Sequence, residues 1–251
     1  MRSEQRRACP WPLSLALSAC IAGLAAAEAP TESEEPKEPS AKAKAWALAS
    51  DALLPVSNGA ALDKLEYKFA PYLKYESKTA LAEWWGVASR EELLDMLKWL
   101  EDEGHRAGFD KIAKALEAPK EQANAAFLAD LSKSQDGAWS RSIVEKHREK
   151  VGKKSILAWD LGREITIIRQ GYSAGYVTEK EAWALILPVA RKLQATFDSW
   201  ADLGENYLIG RDFWSEERAK GEGKQFEYLY KNLLNDPASP WKTIPWDTKL
   251  E

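Results

Sequence analysis

Residues 155–214 read SILAWDLGREITIIRQGYSAGYVTEKEAWALILPVARKLQATFDSWADLGENYLIGRDFW, and they decide the fold. Apolar residues recur there at spacings of three and four, which is typical of amphipathic helices. The first stripe consists of Leu157, Leu161, Ile165 and Ile168. We expect this helix to end at Gly171. Thr178 and Glu181 have capping-box spacing and predict the start of a second helix. A short loop joins the two, so they should be antiparallel neighbours.

The same periodicity continues through the rest of the chain, and no β-strand period accompanies it. The pattern predicts one all-α domain of about nine helices over residues 44–251. The polar run 215–224 is expected to be a loop or a frayed helix end. The tail NDPASPWKTIPWDTKL contains three prolines, so we expect it to lie extended across the domain. Trp241 and Trp246 would anchor it and form a candidate binding surface.

The N-terminus has the features of a secretory signal peptide. Three arginines within residues 2–7 precede the apolar stretch 8–27, which ends in three alanines. A transmembrane anchor is the alternative, since the stretch is about long enough to span a bilayer. The small residues at its end favour cleavage, so residues 1–27 are interpreted as a signal peptide and the protein as exported.

A second possibility lies inside this signal. Residues 17–20, LSAC, resemble a bacterial lipobox, which would make Cys20 the lipidated first residue of a membrane-anchored lipoprotein. Ordinary cleavage to a periplasmic protein remains the other option. Cys9 is the second cysteine of the two in the chain. The mature domain would therefore have no disulfide, thiol nucleophile or cysteine metal site. The only membrane contact we expect is a lipid at Cys20.

The amino-acid composition limits the classes of binding partner that we expect. Residues 28–43 are rich in proline, glutamate and serine, and they are expected to form a disordered linker. The chain carries a formal net charge of −4, which disfavours nucleic acid as a partner. Its 12 tryptophans are a high number for 251 residues. Tryptophans form ligand platforms as well as core contacts. We therefore expect a protein partner in the cell envelope.

Several polar residues lie beside these tryptophans and form a candidate functional cluster. Asp160 and Arg163 are three residues apart, so they can pair on a helix. They are either a structural ion pair or part of a recognition or catalytic site. His105 follows the expected helix end at Gly104 and is either a capping histidine or a general base. The complete candidate cluster is His105, Arg106, Asp160, Arg163, Asp198 and Arg211.

Seven runs of the chain, in order, resemble the DUF1266 domain family of bacterial proteins. They are KAWALASDALL (44–54), WWGVASREEL (84–93), EDEGHRAGF (101–109), AWDLGR (158–163), GYVTEKEAW (175–183), SWADLGENYLIGRDFW (199–214) and SPWKTIPW (239–246). The resemblance covers residues 44 to 250. The family is a domain of unknown function, so the resemblance implies a fold unit and no activity for any residue.

Motifs that would identify a chemistry are missing from the sequence. It has no phosphate-binding glycine loop and no HExxH, and we predict no cofactor and no metal. Two hypotheses remain. The first is a non-catalytic envelope domain that binds a protein, peptide or glycan through a tryptophan-lined surface. The second is a hydrolase in which His105, Asp160 and Arg163 converge in a cleft. Convergence in an open pocket would favour the enzyme, and convergence in a closed core would indicate a structural network.

Overall fold

The structure is a computed structural model that describes residues 38–67 and 73–251. The predicted signal peptide, Cys20 and most of the linker lie outside these residues, so export and lipidation stay predictions. Within the described ranges the secondary structure is helical and contains no strand, which confirms the all-α class. No helix of this part of the chain combines the length and apolar character needed to cross a membrane.

Twelve α-helices are present in the described residues, and ten of them have eight residues or more. They are α1 (Ala41–Ser50), α2 (Leu53–Ser57), α3 (Leu73–Ala80), α4 (Arg90–Asp102), α5 (Arg106–Glu117), α6 (Gln122–Leu131), α7 (Gln135–Val151), α8 (Leu157–Ala174), α9 (Glu179–Thr196), α10 (Trp200–Trp214), α11 (Glu216–Asn235) and α12 (Pro240–Thr243). A π-helical turn, Leu81–Trp85, follows α3 directly. Ser40 caps α1, so the last three residues of the predicted linker are helical.

Helix α8 lies at the centre of the domain. Every one of its residues except Tyr172 is buried, and it packs against α3, α4, α9 and α10. It ends at Ala174, where Gly175 adopts the left-handed conformation with a φ of 79°. The predicted end at Gly171 is wrong. A Cβ atom at Gly171 would lie 2.6 Å from Leu93, so this glycine allows α4 to approach closely.

Helix α9 begins as predicted. The Thr178 side chain accepts a hydrogen bond from the N–H of Glu181, and the Glu181 side chain bonds back to the N–H of Thr178. This confirms the capping box. Pro188 lies inside α9 without ending it, since the helix continues to Thr196.

The expectation of a loop or a frayed helix end at 215–224 is wrong, because residues 216–224 form the first half of α11. Ser215 caps the helix and accepts a hydrogen bond from the N–H of Arg218. Charged side chains four residues apart then pair along the helix, as Glu216 does with Lys220 and Arg218 with Glu222. Such pairs each stabilise a helix by about 0.2–0.5 kcal/mol, which helps it to continue through two glycines.

The C-terminal tail packs onto the domain through aromatic side chains. Ser239 caps a single helical turn, α12, and that turn places Trp241 in a stacked arrangement on Trp200 with ring centroids 5.9 Å apart. Trp246 is half-buried and meets Trp46 and Trp200 edge-on. Because Trp241 is only 5% exposed, it offers no ring face to a ligand, contrary to its proposed place in a binding surface.

Backbone carbonyls of the tail receive hydrogen bonds from three helices. The indole N–H of Trp46 on α1 donates to the Trp246 carbonyl, and that of Trp200 on α10 donates to Ile244. Gln194 on α9 donates to the Trp246 carbonyl at 2.7 Å. The tail lacks regular structure over most of its length, so these side chains satisfy the carbonyls that a helix would otherwise pair.

We predict that Gly204→Ala destabilises the domain by about 1–3 kcal/mol, the usual cost of overpacking. A Cβ atom at Gly204 would lie 2.6 Å from the Trp241 ring and 2.8 Å from Tyr230, so α10, α11 and the tail would have to move apart. Urea unfolding measures the effect. Gly221→Ala on α11 is the matched control, because a Cβ atom there meets nothing within 4 Å. It should stabilise by up to about 1 kcal/mol. Equal effects of both substitutions would contradict the prediction.

Candidate functional site

The structure brings four of the predicted site residues together. Asp160 on α8 is fully buried and accepts hydrogen bonds from the backbone N–H groups of His105 (2.9 Å) and Arg106 (3.0 Å). The Arg106 guanidinium also donates to it, at 3.2 Å. The carboxylate thus caps the first turn of α5 from a different helix. Gly104 makes this approach possible, because a Cβ atom there would lie 2.2 Å from the Asp160 oxygen.

The surroundings of His105 disfavour its charged form. Burial, and then the charge of Arg163, lower its pKa below the ordinary value, and the nearby carboxylate of Asp160 does not outweigh them. Its Nδ1 atom lies 3.2 Å from Nη1 of Arg163 and 3.5 Å from the Asp160 carboxylate. A guanidinium can only donate, so Nδ1 accepts from Arg163 and the ring proton is on Nε2. The 3.5 Å contact to Asp160 is therefore no hydrogen bond.

Arg163 is enclosed by tryptophans. Its guanidinium carbon lies 4.3 Å from the ring centroids of both Trp85 and Trp159, and 5.6 Å from that of Trp214. These are cation–π distances. The indoles therefore hold the guanidinium in place, and Arg163 forms part of the wall of a cleft.

The remaining two predicted residues have different surroundings. Arg211 on α10 is buried and lines the same cleft as Arg163. Asp198 is 91% exposed in its side chain and pairs at 3.3 Å with Lys154. It is not among the residues that line the cleft. The sequence-based cluster thus separates into a capping network around Asp160, a cleft wall, and a surface ion pair.

The cleft has a volume of about 380 Å³. Residues of α2, α3, α8, α10 and α11 line it, together with the π-helical turn. Its aromatic walls are formed by Tyr67, Trp84, Trp85, Trp159, Tyr207, Trp214 and Phe226. Trp84 is 56% exposed, although tryptophan is usually well buried. Neither His105 nor Asp160 lines this cleft.

Polar atoms without partners concentrate at the cleft. In the described part of the chain, five buried side-chain polar atoms have no hydrogen-bond partner. Four belong to residues that line the cleft, namely Trp159 Nε1, Gln170 Oε1, Tyr207 OH and Arg211 Nη1. Leaving a buried polar group unpaired costs about 1–3 kcal/mol. Their concentration at one place makes the cleft the candidate site.

Arg211 connects this site to α11. Its Nη2 atom donates to the Arg218 carbonyl and to the Glu222 carboxylate, both at 2.9 Å. Arg218 donates to the other oxygen of Glu222 at 2.5 Å. Burial alone would raise the pKa of Glu222, but the bonds from Arg218 and Arg211 outweigh it and lower the pKa below its ordinary value. Glu222 is therefore a charged bridge at the cleft wall.

Sequence reasoning identified Arg163 and Arg211 but missed the other polar residues of the cleft. Gln170 and Tyr207 both lie in the stretch 155–214, yet no spacing rule predicts that their polar atoms stay unpaired. Glu222 was missed because its segment was expected to be a loop or a frayed helix end. Its i,i+4 spacing from Arg218 was the available signal. In residues 38–67 and 73–251, no group of three or more histidine, cysteine or acidic residues could hold a metal ion.

We predict that Asp160→Asn destabilises the domain by about 1–3 kcal/mol. An amide oxygen cannot replace both carboxylate oxygens, so one α5 backbone N–H loses its acceptor and Arg106 loses its counter-charge. Urea unfolding of the purified domain measures the change. Asp198→Asn is the matched control, since that carboxylate is exposed, and its effect should stay within about 0.5 kcal/mol. An Asp160→Asn variant as stable as the parent would exclude the capping role.

A buried titratable side chain, Glu164, lies away from the cleft. Glu164 on α8 is 4% exposed, and its Oε2 atom is the fifth atom without a partner. Burial, and then the charge of Glu101, raise the pKa of Glu164 from 4.5 to about 8. Between these two pH values the folded protein holds a proton that the unfolded chain has released. The contribution of Glu164 to stability therefore decreases as the pH rises through that window.

We predict that Glu164→Gln removes this pH dependence. The free energy of unfolding of the variant relative to the parent should rise by up to about 1.4 kcal/mol per pH unit between roughly pH 4.5 and 8. Urea unfolding of both proteins at five pH values gives the difference directly. A difference that does not change with pH would show that Glu164 titrates in the folded protein as it does in the unfolded chain.

The chain matches the model of one protein family. The model of a family described as "Protein of unknown function (DUF1266)" matches residues 80–246, which is more than half of the chain. This range includes the π-helical turn and the helices α8, α10 and α11 that form most of the cleft. No curated protein and no solved structure matches the chain significantly.

Proposed function

Because the chain belongs to the DUF1266 family, whose function is unknown, we propose its function from the cleft geometry: a non-catalytic binding domain that takes a small organic ligand. The observation that carries this proposal is the concentration of four unpartnered buried polar atoms in residues lining one cleft. A native fold pairs nearly all such atoms. A ligand with matching polar groups would pair them and would recover part of the free energy that they cost.

The size and walls of the cleft support a small ligand. A volume of about 380 Å³ lies within the range of small-molecule sites. Trp84 at 56% exposure provides a flat apolar surface that a ligand can cover. The unpartnered atoms include donors, Trp159 Nε1 and Arg211 Nη1, and an acceptor, Gln170 Oε1. The ligand should therefore combine a flat apolar part with groups that both accept and donate hydrogen bonds.

The hydrolase alternative has less support. A general base must reach the substrate, and Asp160 is fully buried with both carboxylate oxygens bound to the start of α5. His105 uses Nδ1 to accept from Arg163, so only its Nε2–H side is left for other contacts. Of the three residues in this hypothesis, only Arg163 lines the cleft. An arginine alone positions a ligand and does not supply the acid or base that hydrolysis needs.

We predict that Tyr207→Phe leaves the free energy of unfolding unchanged or raises it by up to about 1 kcal/mol, because the removed hydroxyl is buried without a partner. Functional groups are often retained at such a cost to stability. Tyr67→Phe is the matched control in the same cleft. The Tyr67 hydroxyl accepts a hydrogen bond from Asn58 at 2.6 Å, and its removal should destabilise by about 1 kcal/mol. Equal losses in urea unfolding would show that the Tyr207 hydroxyl is paired and would remove the basis of the proposal.

The same variants test binding. A panel of small organic acids, amides and sugars is screened by thermal shift against the parent domain. A true ligand of the cleft should raise the melting temperature of the parent and do so less for Tyr207→Phe and Gln170→Leu, while Asp198→Asn responds as the parent does. Hits that stabilise all four proteins equally, or the absence of any hit, would contradict a small-molecule site in this cleft.

A further inference from the structure

We propose that the ligand of the cleft is a small aromatic carboxylate, and that Arg211 binds its carboxylate group in the place that Glu222 takes in this structure. The inference rests on the proposed binding function and goes further, since it names the charge of the ligand and the residue that competes with it. Three features carry it, namely a fixed guanidinium, a movable internal counter-ion and a set of flat apolar walls.

The guanidinium of Arg211 is fixed. Its side chain is 3% exposed, and its carbon lies 4.0 Å from the ring centroid of Phe226. Nη2 donates to the Arg218 carbonyl, a backbone atom of α11. Nη1 has no hydrogen-bond partner, and the carboxylate of Asp212 stays 3.7 Å away. A buried arginine with an unused N–H edge is a ready receptor for a planar carboxylate, which can accept from it at two points.

Its counter-ion can move. The Glu222 side chain is 38% exposed, whereas that of Arg211 is 3% exposed. Glu222 is also bonded to Arg218, four residues earlier on the same helix. If its carboxylate turned toward Arg218 and solvent, it would keep that second partner. Arg211 has no comparable exposure to water, so it needs an anion in either case. An incoming carboxylate and Glu222 are therefore alternatives for the same Nη2–H group.

The surroundings favour an aromatic acid over a simple one. The ring of Phe226 lies against the guanidinium, and Trp159 and Trp214 form the adjoining wall, with ring centroids 5.6 Å apart. Rings of this kind hold a flat apolar group by offset or edge contacts. The hydroxyl of Tyr207, whose ring lies 5.1 Å from that of Trp159, can donate to the second oxygen of a carboxylate. A neutral sugar would add no charge opposite Arg211, whose ion-pair partners would remain Glu222 and Asp212.

The test uses benzoate and benzamide, which have nearly the same shape and differ in charge. Calorimetric titration at pH 7 compares the parent with Glu222→Gln, and with Glu216→Gln as the matched control. Glu216 is a carboxylate on α11 that pairs with Lys220 and does not line the cleft. We expect benzoate to bind Glu222→Gln roughly tenfold more tightly than the parent, because the charged competitor is gone. Glu216→Gln should bind benzoate as the parent does, and benzamide should bind all three weakly.

A second variant changes affinity in the opposite direction. Arg218→Gln removes the alternative partner of Glu222, so Glu222 should stay on Arg211 and benzoate should bind several-fold more weakly than to the parent. Arg218 is 31% exposed, which makes this substitution mild for folding. Near-ultraviolet circular dichroism checks that each variant retains its tertiary structure.

The outcomes separate the inference from the proposed function. Benzoate affinity that is unchanged in Glu222→Gln, or benzamide that binds as tightly as benzoate, would overturn the inference. If only neutral ligands stabilise the domain and they depend on Tyr207 and Gln170, the binding function stands and the carboxylate inference fails. If no ligand of either kind binds the parent or the variants, both fail.

Discussion

The structure depends on one constraint: a helix that is buried on all sides carries charged and polar side chains. Helix α8 contains Asp160, Thr166 and Arg169, none of which is more than slightly accessible to solvent. A buried charge without a partner costs several kcal/mol, so each of these groups must find its partner on another element. Those requirements fix the neighbours of α8 more closely than apolar packing alone would.

Arg169 shows how this works. It donates to Asp51 at 3.3 Å and to the carbonyls of Ala61 and Lys64 at 2.7 and 3.0 Å, so it ties an irregular segment after α2 to the centre of the domain. Thr166 donates to the same Asp51 at 2.7 Å. At the other end of α8, Asp160 fixes the turn between α4 and α5. Each contact pairs a side chain of α8 with a turn, an irregular segment or the end of another helix.

Most polar groups of α8 have partners, so the two atoms near the cleft that remain unpaired need an explanation. Trp159 and Gln170 lie on the same helix as the fully satisfied residues, so their unpaired atoms are not explained by poor packing in general. Both line the cleft, as do Tyr207 and Arg211 of α10. The helix pair α8 and α10 thus carries polar groups that hold the fold together with unpaired polar atoms of residues that line the cleft.

The fold was predictable from local patterns, and the site only in part. The capping box of α9 is a local signal, and it was confirmed. Gly171 looks the same in sequence as a helix-ending glycine, and only the position of Leu93 reveals its purpose. The convergence of His105 with Asp160 was a sound hypothesis, but its capping geometry depends on backbone atoms from another helix. Unpaired atoms cannot be predicted from sequence, since they are defined by the partners that the tertiary fold fails to provide.

The way in which the tail closes the domain has a consequence for the order of folding. The Trp241 indole donates to the Ala49 carbonyl, a contact between residues 192 positions apart, and Trp46 reaches the Trp246 carbonyl across 200. Contacts of such high sequence separation form late, because the loop they close costs entropy that local helix contacts avoid. During synthesis, α1 is made before the other described helices, yet its contacts with the tail cannot form until residues 239–251 have left the ribosome. Until then Trp46 lacks the carbonyl acceptor and the ring contact that Trp246 supplies, so this face of α1 is still incomplete in the nascent domain.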